Sequence, residues 1–185
     1  GFLNVTFEAG FLAREAAALL GDATLGVART EAPETVVIDY PSPNVAKEMH
    51  VGHLRTTIIG DALARVLEKL GHRVVRQNHL GDWGTPFGML LEHMVDVGED
   101  AGAIALEDLN VFYRAARAKF DGDLAFADRA RQRVVLLQGG DAPTLALWKQ
   151  LVAQSKVHFS AVFGRLGVTV RDEDDCGESF YNPVS

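Results

Sequence analysis

The sequence predicts an α/β fold, the first half of a doubly wound parallel sheet carrying a helical insertion, and three observations lead there. The β-branched run Val36-Val37-Ile38 continues into Asp39-Tyr40 and breaks at Pro41 and Pro43, the pattern of a buried parallel strand leaving a sheet. Apolar residues at Val51, Leu54, Ile58, Ile59, Ala62, Leu63, Val66, Leu67 and Leu70 then keep helical spacing. Val74 and Val75 begin a second strand just after Gly71, so strand, helix and strand follow in the order of a right-handed crossover.

Taken in order, Phe2 to Phe7 alternates like a half-buried strand, and Phe11 to Leu20 has the composition of a short helix ending at Gly21. Residues 1–32 thus read as the tail of a preceding domain plus a connector of small and charged residues, with a boundary near Pro33. Residues 33–98 hold the first half of the sheet domain. Its first strand is Thr35 to Tyr40, and the helix from Val51 is expected to turn its apolar stripe to the sheet, with Thr57, Asp61, Arg65, Glu68 and Lys69 facing away. Gly71 supplies a left-handed cap. The second strand runs into Gln77-Asn78-His79-Leu80 and the loop Gly81-Asp82-Trp83-Gly84, after which Thr85 and Pro86 read as N-cap and first helical residue, with Gly98 after the end.

Residues 99–167 carry three helical patterns and form the insertion. Leu109, Phe112, Tyr113 and Ala116 mark the first, and Ala127, Ala130, Val134 and Leu137 the second. The third opens at Asp141 and Pro143, carries Trp148, Leu151, Val152, Phe159, Val162, Phe163 and Leu166, and closes at Gly167. Val168-Thr169-Val170 suggests a return to strand, so 168–185 lead back toward the sheet domain, and the chain is expected to be a piece of something longer.

Composition narrows the class. With 185 residues and 48% hydrophobic content the chain can bury a sizeable core, and a net charge of −7 argues against coating nucleic acid by bulk electrostatics. The single cysteine, Cys176, excludes an internal disulfide framework and fits a reducing compartment. No apolar run approaches the roughly 18 residues of a membrane span, and the first residues lack a signal-peptide pattern, which together point to a cytoplasmic protein.

The chemistry concentrates between Asp39 and Arg55. A loop at a strand's carboxyl end that runs into a helix N-terminus is where open α/β sheets bind ligands, phosphate above all. His50 and His53 stand three apart at the start of that helix, and Gly52 between them removes a side chain where a flat ligand can approach the backbone. Imidazoles placed there can donate to charge building on a phosphoryl group. A zinc site is the competing reading, yet there is no His-Glu-x-x-His and no second cysteine, so no bound metal is expected. Plain helix capping would leave the histidine pair, the glycine and Lys47 without a common reason. Phosphate-loop and dinucleotide glycine fingerprints are absent from the sequence.

The strings Ser42-Pro43-Asn44-Val45-Ala46-Lys47, His50-Val51-Gly52-His53-Leu54-Arg55 and Gly81-Asp82-Trp83-Gly84-Thr85 resemble the catalytic domain of class I aminoacyl-tRNA synthetases, specifically the arginyl-tRNA synthetases. The likeness continues through Phe112-Tyr113, Leu137-Gln138-Gly139-Gly140-Asp141, Trp148 and Gly177-Glu178-Ser179-Phe180-Tyr181. It implies a Rossmann-like sheet of the HUP type with a connective helical insertion. It also implies a two-step reaction in which arginine and ATP, with Mg²⁺, form arginyl-adenylate, and the arginyl group then passes to tRNA(Arg). Carried over by position, His50 and His53 would bind ATP and stabilise the transition state, Gly52 would admit the adenine, and Lys47 would contact phosphate. Ser42 and Asn44 would hold the carboxylate and amino ends of arginine, and Asp39 its guanidinium, a pairing that suits charge-assisted, forked hydrogen bonds. A strand-end acid that caps a helix is the other reading of Asp39. Asp82 and Trp83 fall on a loop where a site would lie, although an Asx turn and a core tryptophan explain them as well.

The sequence departs from the family at Pro86, where glutamine is expected, and holds neither a Lys-Met-Ser-Lys-like string nor an anticodon-binding domain. The chain by itself would therefore not aminoacylate. Two alternatives stay open: a related nucleotidyltransferase for another substrate, and a non-catalytic RNA-binding fragment using Arg55, Arg65, Lys69, Arg73 and Arg76.

Overall fold

The computed structural model describes residues 1–98 and 109–184. The start of the expected insertion at 99–108, the Leu109 side chain and Ser185 lie outside the described residues. The elements are α1 (Ala9–Gly21), β1 (Thr35–Asp39), α2 (Val51–Lys69), β2 (Arg73–Gln77), α3 (Thr85–Val97), α4 (Leu109–Gly122), α5 (Leu124–Gln138) and α6 (Ala142–Leu166), followed by short 3₁₀ turns at Asp172–Asp174 and Glu178–Val184.

β1 and β2 pair in parallel with α2 as the crossover, and the register sets Thr35 opposite Arg73 and Asp39 opposite Gln77. Register partners share a face, so Asp39 and Gln77 stand side by side at the carboxyl edge. That edge is extended by the bridges Asn44 to Gly81 and Asn78 to Asp175. The second bridge is where the chain comes back to the sheet. Val168–Val170 forms no strand, and Phe2 to Phe7, also expected as a strand, is irregular and exposed, with no neighbouring strand to pair with among the described residues. The N-cap of α3 is Gly84, with φ of 105°, and Thr85 is already helical.

α2 turns the opposite face to the sheet from the one expected. Val51, Ile58, Ile59, Leu63 and Val66 are each more than half exposed, whereas Thr57, Gly60, Asp61 and Ala64 are buried. This second stripe has helical spacing too, and its small residues let the helix approach β1 closely. A Cβ on Gly60 would come within 2.4 Å of the Tyr40 ring. Asp61 then ties three segments together. Its carboxylate accepts from the Tyr40 hydroxyl at 3.1 Å, from the Thr169 N–H at 2.7 Å and from Arg65 Nε at 2.6 Å. Burial pushes this carboxyl up, but the hydrogen bonds from Thr169, Arg65 and Tyr40 outweigh it and hold it below the usual carboxylate range.

The main core lies among the helices that follow. Phe87, Leu90, Leu91 and Met94 of α3 are buried with Phe112 of α4, Phe126 and Leu137 of α5 and Leu151 and Phe159 of α6. Gly88 permits the closest α3–α5 approach, since a Cβ there would meet the Ala130 carbonyl at 2.3 Å. The buried Glu92 accepts from Arg129 Nε at 2.7 Å and from Arg133 Nη2 at 2.9 Å, which satisfies a charge that the apolar surroundings would otherwise expel.

Replacing Asp61 with alanine strands the buried Tyr40 hydroxyl and the Thr169 N–H. Denaturant unfolding is expected to show a loss on the order of 1–3 kcal/mol, the cost of an unsatisfied buried polar group. Unchanged stability would contradict the role given to Asp61.

Candidate active site

The loop from Asp39 to His50 follows a course that its own residue types do not favour. Ser42 and Ala46 have positive φ, 55° and 60°. A left-handed residue other than glycine costs roughly 1–2 kcal/mol and persists only where its surroundings fix it. Two buried side chains supply that. The Ser42 N–H donates to Asn78 Oδ1 at 3.1 Å, and the Ala46 N–H donates to Ser155 Oγ at 3.0 Å. Asn78 is anchored in turn by donating to Asp175 Oδ1 at 2.6 Å, and Ser155 by donating to the Leu151 carbonyl at 2.9 Å.

On this loop Ser42 Oγ donates to Asp39 Oδ1 at 2.7 Å, so the two arginine-facing candidates are joined directly. Asp39 remains exposed beside Gln77, whose amide donates to the Tyr181 hydroxyl at 3.4 Å. Asn44 lies alongside Gly81, with the Val45 N–H on the Gly81 carbonyl at 3.0 Å. A Cβ on Gly81 would sit 2.4 Å from Asn44 Oδ1, which explains the glycine.

His50 is the N-cap of α2. Its Nδ1 accepts from the Gly52 N–H at 3.1 Å, and the Nδ1 of His53 accepts from the His50 N–H at 3.2 Å. With Nδ1 of each ring placed to accept from the backbone, Nε2 is the ring nitrogen left to face outward. The rings lie 4.0 Å apart between centroids. Partial burial, then the neighbouring His50, push the His53 imidazole below the ordinary histidine value. The Gly52 position has an immediate steric reason as well: a Cβ there would stand 2.8 Å from Cε1 of His50. The arrangement presents two adjacent imidazoles at a helix N-terminus, on the same loop that carries an exposed carboxylate.

Lys47 reaches across to α4, its Nζ 4.8 Å from the centroid of the Tyr113 ring. Asp82 is turned inward. Its carboxylate accepts from the Ser179 N–H at 2.9 Å and the Ser179 hydroxyl at 2.7 Å, while its carbonyl accepts from Trp148 Nε1 at 2.7 Å. Trp83 meets Trp148 edge to face at 5.7 Å. The structure therefore brings Asp39, Ser42, Asn44, Lys47, His50, Gly52 and His53 onto one loop and helix start, and uses Asp82 and Trp83 to clasp the neighbouring loop to α6 and to the 3₁₀ turn. Sequence reasoning missed Asn78 and Ser155 as supports; a polar residue at a strand end and a serine on an apolar helix face were the available signals.

Among the described residues there is no group of three or more histidine, cysteine, aspartate or glutamate side chains that could hold a metal ion. No helix among them is long and apolar enough to cross a membrane.

Comparison with known proteins places this geometry in context. The family model described as tRNA synthetases class I (R), catalytic domain, matches residues 15–185. An arginine–tRNA ligase of Thermobifida fusca is 57% identical over 186 aligned residues, covering 100% of this chain and 32% of the relative. One from Edwardsiella ictaluri is 53% identical with the same coverage. The crystal structure of arginyl-tRNA synthetase from Plasmodium falciparum superposes with a TM-score of 0.68 at 35% identity, covering 81% of this chain and 25% of that one. The chain spans about a third of the length of the curated relatives it matches.

The histidine pair makes a pH prediction. The folded His53 binds a proton less readily than the unfolded one, so stability rises with pH between the two values. The stability present at neutral pH declines as pH falls through about 6.5, the unfolded value, toward the folded one. An NMR titration of His53 should give a midpoint below 6.5. A midpoint at or above that value would contradict the hydrogen bonding described.

Proposed function

The chain belongs to the family of class I (R) tRNA synthetase catalytic domains, and from that premise we propose that it carries one wall of an active site that activates L-arginine with ATP and passes it to tRNA(Arg). The observation that carries this reading is the pairing of two adjacent imidazoles at the start of α2 with an exposed carboxylate at the end of β1.

Each residue has a chemical task. Asp39 receives the substrate guanidinium, with Ser42 orienting its carboxylate and leaving a lone pair on Oδ1 and both on Oδ2 for a forked contact. Asn44 holds the amino end of arginine, while the Ser42 hydroxyl, bonded to Asp39, serves the guanidinium end rather than the carboxylate end. The arginine carboxylate attacks the α-phosphorus of ATP, a bond forms to that oxygen, and pyrophosphate leaves. The Nε2–H groups of His50 and His53 donate to the charge that spreads over the phosphoryl oxygens in this step. Donors fixed at a helix N-terminus suit the task because they are already aimed where charge develops in the transition state. Lys47 adds a positive charge toward the phosphates, Gly52 leaves the helix start open to the adenine, and Mg²⁺ accompanies ATP as its counter-ion. Asp82 and Trp83 support the site through the loop they fix.

In this reading residues 33–98 and 168–185 belong to the catalytic sheet, 99–167 to its helical insertion, and 1–32 to the end of a preceding domain, in a cytoplasmic enzyme. The opposite wall of the site comes from the two thirds of the relatives' length that this chain does not span.

In the full-length protein, His53→Ala should lower the rate of arginine-dependent pyrophosphate exchange, measured with tRNA present, by a factor on the order of 100 to 1,000, as for loss of a transition-state donor. A wild-type rate would remove His53 from the chemistry. Asp39→Asn should weaken arginine binding by about 1.5–3 kcal/mol, the worth of a hydrogen bond to a charged group. Equal affinity by calorimetry would take Asp39 out of the pocket.

A further inference from the structure

The helical insertion touches the ATP-facing loop at three successive residues. Ser155 of α6 receives the Ala46 N–H, the Tyr113 ring of α4 lies against the Lys47 ammonium, and Asn110, on the same helix as Tyr113, donates to the Glu48 carboxylate. We propose that Ser155 and Tyr113 are positioning residues for nucleotide binding, so that the insertion sets where Lys47 stands and how well the site holds the phosphates of ATP. This rests on the ATP-site reading given above.

Ala46 is the pivot. Its φ of 60° is unfavourable for alanine, and rotation back to the right-handed or extended region would swing Lys47 and every residue after it. The acceptor that opposes this rotation is fully buried and unambiguous in orientation. The Ser155 hydroxyl gives its proton to the Leu151 carbonyl, which leaves an oxygen lone pair for the Ala46 N–H. Tyr113 acts on the next residue. An aromatic face attracts the ammonium without cancelling its charge, as a carboxylate would, so Lys47 is ordered yet still able to meet an anion. Asn110 holds the adjacent Glu48 carboxylate, which would otherwise compete with phosphate for the lysine.

The test uses the full-length protein in arginine-dependent pyrophosphate exchange with tRNA present, with separate titrations of ATP and arginine and thermal unfolding of each variant. S155A and Y113L should each raise KM for ATP about 2- to 10-fold, the range of one hydrogen bond or cation–π contact, with KM for arginine unchanged. Y113F keeps the ring face and should restore the wild-type KM for ATP. Calorimetric ATP binding supplies a second check: combined with K47M, Y113L should weaken binding no further than K47M alone. An unchanged KM for ATP in Y113L, an equal rise in both KM values, or an additive effect in the K47M background would each overturn the proposal while the wild type still turns over. If the wild type shows no exchange with arginine, the function reading fails, and this proposal with it.

Discussion

The N–H groups of Ser42 and Ala46 point where they do because a buried side-chain oxygen waits for each. Without Asn78 and Ser155 the chain between β1 and α2 would have no reason to hold two left-handed residues in a stretch of five. With them, the loop leaves β1, turns along the sheet edge and delivers His50 as the cap of α2. The partners come from far away in sequence, 36 residues for Asn78 and 109 for Ser155. The shape of the loop is therefore a property of the assembled chain, and the end of β2 and α6 both have to be in place before it takes this course.

The two ends of that loop carry different chemistry. Asp39 is an exposed side chain at a strand end that accepts from the neighbouring Ser42 hydroxyl. At the other end the histidines cap α2, each Nδ1 accepting a backbone N–H, and partial burial and the neighbouring His50 push the His53 imidazole below the ordinary histidine value. The exposed carboxylate and the paired imidazoles are thus separated along one short segment, each held by local hydrogen bonding.

Much of the framework was legible in the sequence. The parallel strand pair, the crossover helix and the helices of the insertion follow from periodicity and from Gly and Pro punctuation, and Gly71, Gly98 and Gly167 do take positive φ. The orientation of α2 was not legible, because two stripes of the same period compete. The larger aliphatic stripe looks like the buried one until the tight approach of Gly60 to Tyr40 selects the stripe of Thr57, Gly60, Asp61 and Ala64. Phe2 to Phe7 shows the reverse case, an alternating pattern with no strand beside it to give the alternation meaning. Motif residues could be named from spacing alone, but their supports could not. Asn78, Ser155 and the inward turn of Asp82 depend on which segments meet, and nothing local distinguishes them from other polar residues at strand ends and on helices.

The most direct measurement is a crystal structure of the full-length protein with a non-hydrolysable arginyl-adenylate analogue. The guanidinium should lie within hydrogen-bond distance of Asp39, and the phosphate oxygens within reach of Nε2 of His50 and His53, with Nδ1 of both rings still accepting from the backbone. A ligand that seats its guanidinium away from Asp39, or a phosphate that meets neither imidazole, would contradict the division of this loop into an arginine end and a phosphate end.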